Sequence, residues 1–181
     1  MQFDITTRGK VSVGPTGLAR TVPRSVRIVV TGTDPYDLDI RLVWDDDEQR
    51  LVPDDLRVTR RPDGIPVRAA DLGRIKIGQL IETNLAAEVI DSRGWSGIIE
   101  DHPDADPAAV DALIYGLAHA LGGHNPTQTV ALARELQPGS AIKRVMRARE
   151  LGYLGKATKG RSGGLINGTD REVVPTQSSL C

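Results

Sequence analysis

The first sixty residues alternate between apolar and polar positions in a way that predicts β-strands. Ser25–Thr31 is rich in β-branched residues, and Leu38–Trp44 puts apolar side chains on one face and charged ones on the other. Leu51–Thr59 has the character of a return strand after an acidic turn at Asp45–Gln49, and Gln2–Ile5 is a short strand candidate. We therefore expect an antiparallel sheet whose middle is a meander.

Three segments before residue 107 lack a strand pattern. Val11–Pro23 is rich in Gly, Pro and Thr and is predicted to be a loop. Asp71–Ile90 is predicted to be helical, at least from Ile77, because apolar residues recur there at helical spacing. Residues 93–106 contain two glycines and a proline and are predicted to be a linker. The N-terminal domain is then expected over residues 1–92.

The residues after the linker predict a helical domain over 107–164, followed by a disordered polar tail over 165–181. Asp106 has the character of an N-cap, and Pro107 suits the first position of a helix that ends near Gly122. The overall fold class is thus expected to be α+β.

Two further short helices are predicted over Thr127–Leu136 and Ser140–Leu151, separated by a break at Gln137–Gly139. In the last helix, four apolar residues are expected to pack inward: Ile142, Val145, Met146 and Leu151. Two short helices joined by a tight turn are typical of a helix-turn-helix, in which the first helix braces a second that enters the major groove of DNA.

Charge is distributed unevenly along this half of the chain, although the formal net charge is only −1. Residues 91–125 contain six acidic residues and one basic residue, whereas residues 126–161 contain eight basic residues and two acidic residues. A basic block of this kind indicates either a polyanion partner or a solvated helix face. The helix-turn-helix pattern favours DNA as the partner.

The candidate DNA contacts fall into three groups. Lys143, Arg144 and Arg147 are expected to share one outward face of the last helix, where they would contact the groove and phosphates. Positioning contacts are expected from Thr127, Gln128, Gly139 and Ser140. Asn125 or Thr127 is expected to cap the first helix; for the second, either Ser140 caps it or Gly139 lets a phosphate approach its N-terminus. A glycine-rich arm or wing carries Lys156, Lys159 and Arg161.

The segment PTQTVALARELQPGSAIKRVMRARELGYL, Pro126 to Leu154, resembles a helix-turn-helix that is common in actinobacterial and phage proteins. The matching residues are Pro126, Thr127, Val130, Ala131, Val145, Ala148, Arg149, Glu150, Leu151, Gly152 and Leu154, with Gly160, Arg161, Gly163 and Gly164 in the tail. The N-terminal hairpin resembles the uncharacterised part of such proteins. The resemblance implies a DNA-binding transcription regulator of phage or mobile-element type that works as a homodimer.

The chain departs from that pattern at three positions. In the pattern, the turn between the two helices usually begins with a glycine. This chain has Glu135-Leu136-Gln137-Pro138-Gly139 in that region. Arg134 and Arg144 stand where the pattern often has apolar residues. These departures bear more on sequence-specific reading than on binding to the DNA backbone.

Two other functions compete with DNA binding. The helix-turn-helix could contact protein, with the β-rich domain as the functional part and a binding site for another protein. A small enzyme could use the carboxylates of Asp45–Glu48 to hold a hard cation, but an exposed acidic turn is the simpler interpretation. We expect no catalytic residue, no metal and no cofactor, since no nucleotide, protease or hydrolase motif is present.

The compartment is expected to be the cytoplasm. The single cysteine, Cys181, cannot form a disulfide within the chain, and Met1–Lys10 lacks the apolar stretch of a signal peptide. No apolar run approaches the roughly 18 residues of a membrane span, so no membrane partner is expected.

Overall fold

The protein has an α+β fold, and its described residues include antiparallel sheet and the four helices named below. The computed structural model describes residues 2–31, 36–62, 64, 66–68, 85, 86, 89, 90, 93–123 and 125–156. The strands are β1 (Gln2–Arg8), β2 (Val11–Val13), β3 (Arg20–Val22), β4 (Ser25–Thr31), β5 (Tyr36–Asp45) and β6 (Arg50–Arg60). The helices are α1 (Gly94–Glu100), α2 (Pro107–Ala120), α3 (Pro126–Ala133) and α4 (Pro138–Glu150).

The main sheet has the strand order β1-β4-β5-β6, and all its pairs are antiparallel. Its inner face is built from the alternating apolar residues of β4 and β5, and Ile28 lies opposite Ile40 in the register. The predicted meander is confirmed, with the return segment forming one continuous strand, β6. A register shift between Arg41 and Leu42 lets β6 accommodate Pro53.

The prediction of a loop over Val11–Pro23 is wrong in part, because this segment contains a second small sheet. β2 and β3 pair so that Val11 lies opposite Val22, and both Val13 and Val22 are buried. Strands of three residues are too short for an alternating pattern to stand out in the sequence. Gly14 is in a conformation with φ of 132°, and a Cβ there would lie 2.6 Å from the Leu113 side chain. A glycine therefore lets this hairpin approach α2 closely.

Helix α2 is buried around almost its whole circumference, as is typical of a central helix. Its predicted N-terminus is confirmed, because the Asp106 side chain accepts a hydrogen bond from the Ala108 N–H at 2.9 Å and Pro107 follows it. Residues 93–106, expected to be a linker, contain the helix α1, in which Gly97 and Ile98 are buried.

Helices α2, α3 and α4 pack against one another, and α2 also contacts β2, β3 and β6. Helix α3 ends at Ala133, three residues before the predicted end, and Glu135 then adopts a positive φ of 53°. Helix α4 begins at Pro138, two residues earlier than predicted, because proline is favoured at the first position of a helix.

One hydrophobic cluster links the sheet to the helices. It includes Val26, Ile28 and Ile40 from the sheet, Val13 and Val22 from the hairpin, and Leu113, Leu117, Val130, Val145 and Leu154 from the C-terminal region. The division into domains at residues 93–106 stays a prediction. The predicted helix over Ile77–Ile90 lies mostly outside the described residues, although Leu85, Ala86 and Val89 are helical.

Residues 157–181, which hold part of the predicted arm and the predicted disordered tail, also lie outside the described part. Among the helices that the structure describes, none combines the length and apolar character needed to cross a lipid bilayer.

Candidate nucleic-acid interface

Helix α4 turns a face of small residues toward α2 and α3. Ala141, Val145 and Ala148 are buried and recur at the spacing of one helix face. The expectation that Ile142, Met146 and Leu151 pack inward is wrong, since all three side chains are exposed. Alanines allow the helix backbones to approach closely, so the larger apolar side chains are directed away from the contact.

The outward face of α4 combines two rows of side chains that are each one helical turn long. Lys143 and Arg147 form a cationic row, and both are exposed. Ile142 and Met146 form an adjacent apolar row, with 51% and 54% of their surface exposed. The Arg147 guanidinium lies 3.5 Å from Glu150, an exposed contact that solvent and salt screen strongly.

The N-terminal turn of α4 is open to solvent. Pro138, Gly139 and Ser140 are all exposed, and nothing lies within 4 Å of a Cβ built on Gly139. The residue at the N-cap position is Gln137, whose side chain does not cap the helix. The prediction that Ser140 caps this helix is therefore wrong, because Ser140 lies inside the first turn. The open turn directs backbone N–H groups and the positive end of the helix dipole toward solvent.

Arg144 does not share the outward face with Lys143 and Arg147, contrary to the prediction. Its Nε donates to Asp111 Oδ2 at 2.6 Å, and Arg134 Nε donates to Asp111 Oδ1 at 2.8 Å. Asp111 is on α2 and only 1% exposed, whereas the two arginine side chains are 17% and 35% exposed. Each oxygen of the buried Asp111 carboxylate thus accepts a hydrogen bond from one guanidinium group. These charged hydrogen bonds offset the free-energy cost of removing the carboxylate from water.

The ion-pair cluster of Asp111, Arg134 and Arg144 explains two departures from the helix-turn-helix pattern. Arg134 follows α3 and Arg144 is on α4, at positions where the pattern often has apolar residues. Asp111 provides the opposite charge from the preceding helix, so the three elements are joined by ion pairs as well as by apolar packing. Sequence reasoning missed Asp111, although two arginines at apolar positions of a pattern are a signal for a buried carboxylate.

Two more polar contacts attach the end of α4 to α2. Arg149 donates to the Tyr115 hydroxyl at 3.2 Å, and its guanidinium carbon lies 5.2 Å from the centre of the Tyr115 ring. The Tyr153 hydroxyl donates to Asp106 Oδ2 at 3.0 Å, and this hydrogen bond raises the pKa of Tyr153. Helix α4 is consequently held from Ala141 to its C-terminal end, which fixes the direction of its exposed face.

The candidate residues on α3 have different environments. Of the two predicted caps, Asn125 is confirmed, because its side chain accepts a hydrogen bond from the Gln128 N–H at 3.2 Å, and Thr127 is a residue of the first turn. Thr127 is half-buried and Gln128 is exposed. Lys156 is exposed after the end of α4, whereas Lys159 and Arg161 lie outside the described residues. Leu132, which sequence reasoning did not single out, is 69% exposed on α3.

The carboxylates of Asp45, Asp46 and Glu48, in the acidic turn between β5 and β6, make contacts within the fold. Asp45 Oδ1 accepts from the N–H groups of Asp47 and Glu48, both at 2.8 Å, while Asp46 and Glu48 pair with Arg24 and Arg50. Within the part of the chain that the structure describes, no three His, Cys, Asp or Glu side chains are grouped to hold a metal ion.

The same turn is joined to α2. The His119 Nε2–H donates to the Glu48 carbonyl at 2.9 Å, which assigns the proton of the neutral ring to Nε2. Burial lowers the pKa of His119 below its ordinary value, and the charge of Arg50 acts in the same direction. This contact links the far end of the sheet to the helix that carries Asp111.

Comparisons with protein-family models, with curated proteins and with solved structures give no match to this chain.

Proposed function

We propose that α3 and α4 form a helix-turn-helix that binds duplex DNA, with α4 in the major groove. The observation that carries this proposal is the exposed cationic row of Lys143 and Arg147 on a helix whose opposite face is fixed against α2 and α3. The first helix of such a unit braces the second, and α3 is placed to do so.

Each candidate residue then has a defined role. Lys143 and Arg147 contact phosphates and the edges of the groove, and the open N-terminal turn at Gly139 receives a phosphate on its backbone N–H groups. Thr127, Gln128 and Ser140 position the duplex. Arg144 acts indirectly, because its guanidinium holds α4 against Asp111.

Lys156 extends the contact along the DNA backbone, and the sequence adds Lys159 and Arg161 beyond it. The biological role that follows is transcription regulation. A homodimer would place two copies of α4 in neighbouring major grooves, about one helical turn of DNA apart. The sheet is the candidate surface for that dimer contact or for a protein partner.

A second candidate function is a protein-interaction module built on the same helices. It is favoured by the exposed apolar side chains of Leu132, Ile142 and Met146, because a helix face that contacts only water does not need large apolar side chains. Such a module would bind its partner with little dependence on salt, because apolar contacts release few counterions.

The test is fluorescence anisotropy of the full chain with a labelled duplex at several salt concentrations. We expect binding that weakens steeply with salt, because each neutralised phosphate releases condensed counterions. Replacing Lys143 and Arg147 by alanine should reduce the salt slope by about two, at roughly 0.9 per phosphate contact. The matched control replaces Arg8 and Lys10, two exposed cations near the end of β1, and should leave affinity and slope nearly unchanged.

Two results would contradict the proposal. One is the absence of binding even at low salt, which would favour the protein-interaction module. The other is an equal loss of affinity in the control variant, which would mean that charge alone, and not α4, attracts the DNA.

A further inference from the structure

Two apolar side chains on the exposed face of α4 are not explained by electrostatic binding to phosphates. Ile142 and Met146 are each about half exposed, one helical turn apart, in a helix whose buried face is already complete with Ala141, Val145 and Ala148. Their exposure contributes nothing to the core. Phosphate binding alone would be served equally well by polar residues at both positions.

The composition around these residues indicates what can cover them. Lys143 follows Ile142 directly, and Arg147 follows Met146 directly, so the apolar row and the cationic row lie side by side along the helix. A complementary partner must therefore present a line of negative charge beside an apolar strip. The major groove of DNA has this arrangement, because phosphates line its rim and the C5-methyl group of thymine is an apolar group on its floor.

The first two residues of α4 offer no side chain for reading bases by hydrogen bonds, and Ser140, Lys143 and Arg147 are exposed polar residues that follow them. Pro138 and Gly139, in the open N-terminal turn, have no hydrogen-bonding group on their side chains. Base recognition through α4 would consequently depend on apolar contact more than in a helix that carries Asn, Gln or Arg at these positions.

We propose that Ile142 and Met146 read thymine methyl groups in the major groove, which gives the site a preference for A·T pairs. This inference rests on the proposed function. The two side chains are four residues apart, or roughly 6 Å along the helix axis. Base pairs are spaced by roughly 3.4 Å, so the two contacted thymines are separated by about two base-pair steps.

The experiment begins with selection of duplexes from a randomised pool by the full chain, followed by substitution of each thymine in the selected site by deoxyuridine. Deoxyuridine pairs as thymine does and lacks only the methyl group. At a contacted position we expect about fourfold weaker binding, the equivalent of one buried methyl group. At other thymines the affinity should not change.

The variant that tests the assignment carries Ile142→Ala and Met146→Ala. Both side chains are exposed, so the fold should persist, which circular dichroism checks. This variant should bind thymine and deoxyuridine duplexes equally and keep the salt slope of the wild type. The matched control, Leu132→Ala, removes an exposed leucine from α3 and should keep the discrimination.

The outcomes separate this inference from the proposed function. Binding that depends on salt but is indifferent to deoxyuridine at every thymine would overturn thymine reading and leave DNA binding in place. Discrimination that persists in the double variant would also overturn it. Failure of the wild type to bind any duplex at low salt would overturn both.

Discussion

Asp111 and Arg144 form an ion pair between α2 and α4, in which the arginine Nε lies 2.6 Å from a carboxylate oxygen that is nearly inaccessible to solvent. Arg134 occupies the other oxygen of the same carboxylate. The position of α4 on the protein therefore depends in part on an acidic side chain that belongs to neither helix of the proposed helix-turn-helix. The first two predictions follow from this dependence.

Removal of the carboxylate should be strongly destabilising. In Asp111→Ala, the guanidinium groups of Arg134 and Arg144 lose their shared partner while remaining partly desolvated. We expect the free energy of unfolding to fall by about 3 kcal/mol, which is the low end for breaking a buried ion pair because both arginines keep some contact with water. Urea denaturation followed by circular dichroism measures the change. A loss well below 1 kcal/mol would contradict the importance assigned to this cluster.

Replacement of the whole cluster should restore most of that stability. A triple variant with leucine at Asp111, Arg134 and Arg144 leaves no unpaired charge, and apolar substitutes for buried ion pairs are often neutral or stabilising. We expect its urea midpoint to exceed that of Asp111→Ala. A triple variant that is less stable than Asp111→Ala would contradict this prediction, because it would show that the ion pairs stabilise the fold by more than neutralising one another's charge.

Glu135 is the site of a predicted stabilising substitution. Its φ of 53° is in the left-handed region, where a Cβ is unfavourable by about 1–2 kcal/mol. Glu135→Gly should raise the free energy of unfolding by roughly 1 kcal/mol after allowance for the greater backbone freedom of glycine when unfolded. Glu135→Ala retains the Cβ and serves as the control. Thermal unfolding should rank the glycine variant above both the wild type and the alanine variant.

His119 should make stability depend on pH. Its pKa is lowered in the folded protein by burial, so the folded state favours the neutral ring. The contribution is complete above the unfolded pKa of about 6.5 and is lost as the pH falls below it, because the unfolded chain then binds a proton that the folded chain excludes. The slope is at most about 1.4 kcal/mol per pH unit.

His119→Gln isolates this effect, since a glutamine amide can donate to the Glu48 carbonyl without titrating. The difference in unfolding free energy between wild type and variant, measured from pH 7.5 to pH 5, should shift against the wild type as the pH falls. A difference independent of pH would show that His119 is not the group responsible.

Gly139 should show opposite effects on stability and binding. Its backbone is in the first turn of α4, and nothing obstructs an added Cβ. Gly139→Ala should therefore stabilise the helix by up to about 1 kcal/mol. In the proposed function the new methyl group stands where a phosphate approaches the helix N-terminus, so affinity for DNA should fall. Thermal unfolding and anisotropy on one preparation test both signs, and unchanged affinity would remove Gly139 from the interface.

Much of the fold could be predicted from local patterns. Strands β4 and β5 and helix α2 follow from alternation, β-branched residues and the cap at Asp106, which are all local in sequence. Strands β2 and β3 and helix α1 could not be predicted, because three strand residues or two helical turns carry too little periodicity. Tertiary contacts with α2 stabilise these short elements instead.

The candidate site was less accessible to sequence reasoning. Hydrophobicity predicts Ile142, Val145, Met146 and Leu151 as the inward face of α4. Only Val145 among them is buried, and the helix packs through this residue with Ala141 and Ala148. Hydrophobicity identifies the buried face of a helix when its neighbour is far enough away to leave room for large side chains. Where two helices pack closely, only small side chains fit between them. The partner of Arg144 was equally invisible, since Asp111 is 33 residues away in the chain.

The burial of α2 on nearly all sides has a consequence for how this protein can evolve. One side of α2 receives the hairpin at Leu113, and another receives α4 at Asp111 and Tyr115. A recombination event that moved only α3 and α4 to a new host would separate Arg144 from its carboxylate. A recombination event that moved α2 as well would transfer the apolar surface of α2 that packs against the hairpin, without the hairpin that covers it. We therefore expect the C-terminal helices to be inherited together with the sheet. In the proposed function, a new binding preference would then arise by point substitution on the exposed face of α4.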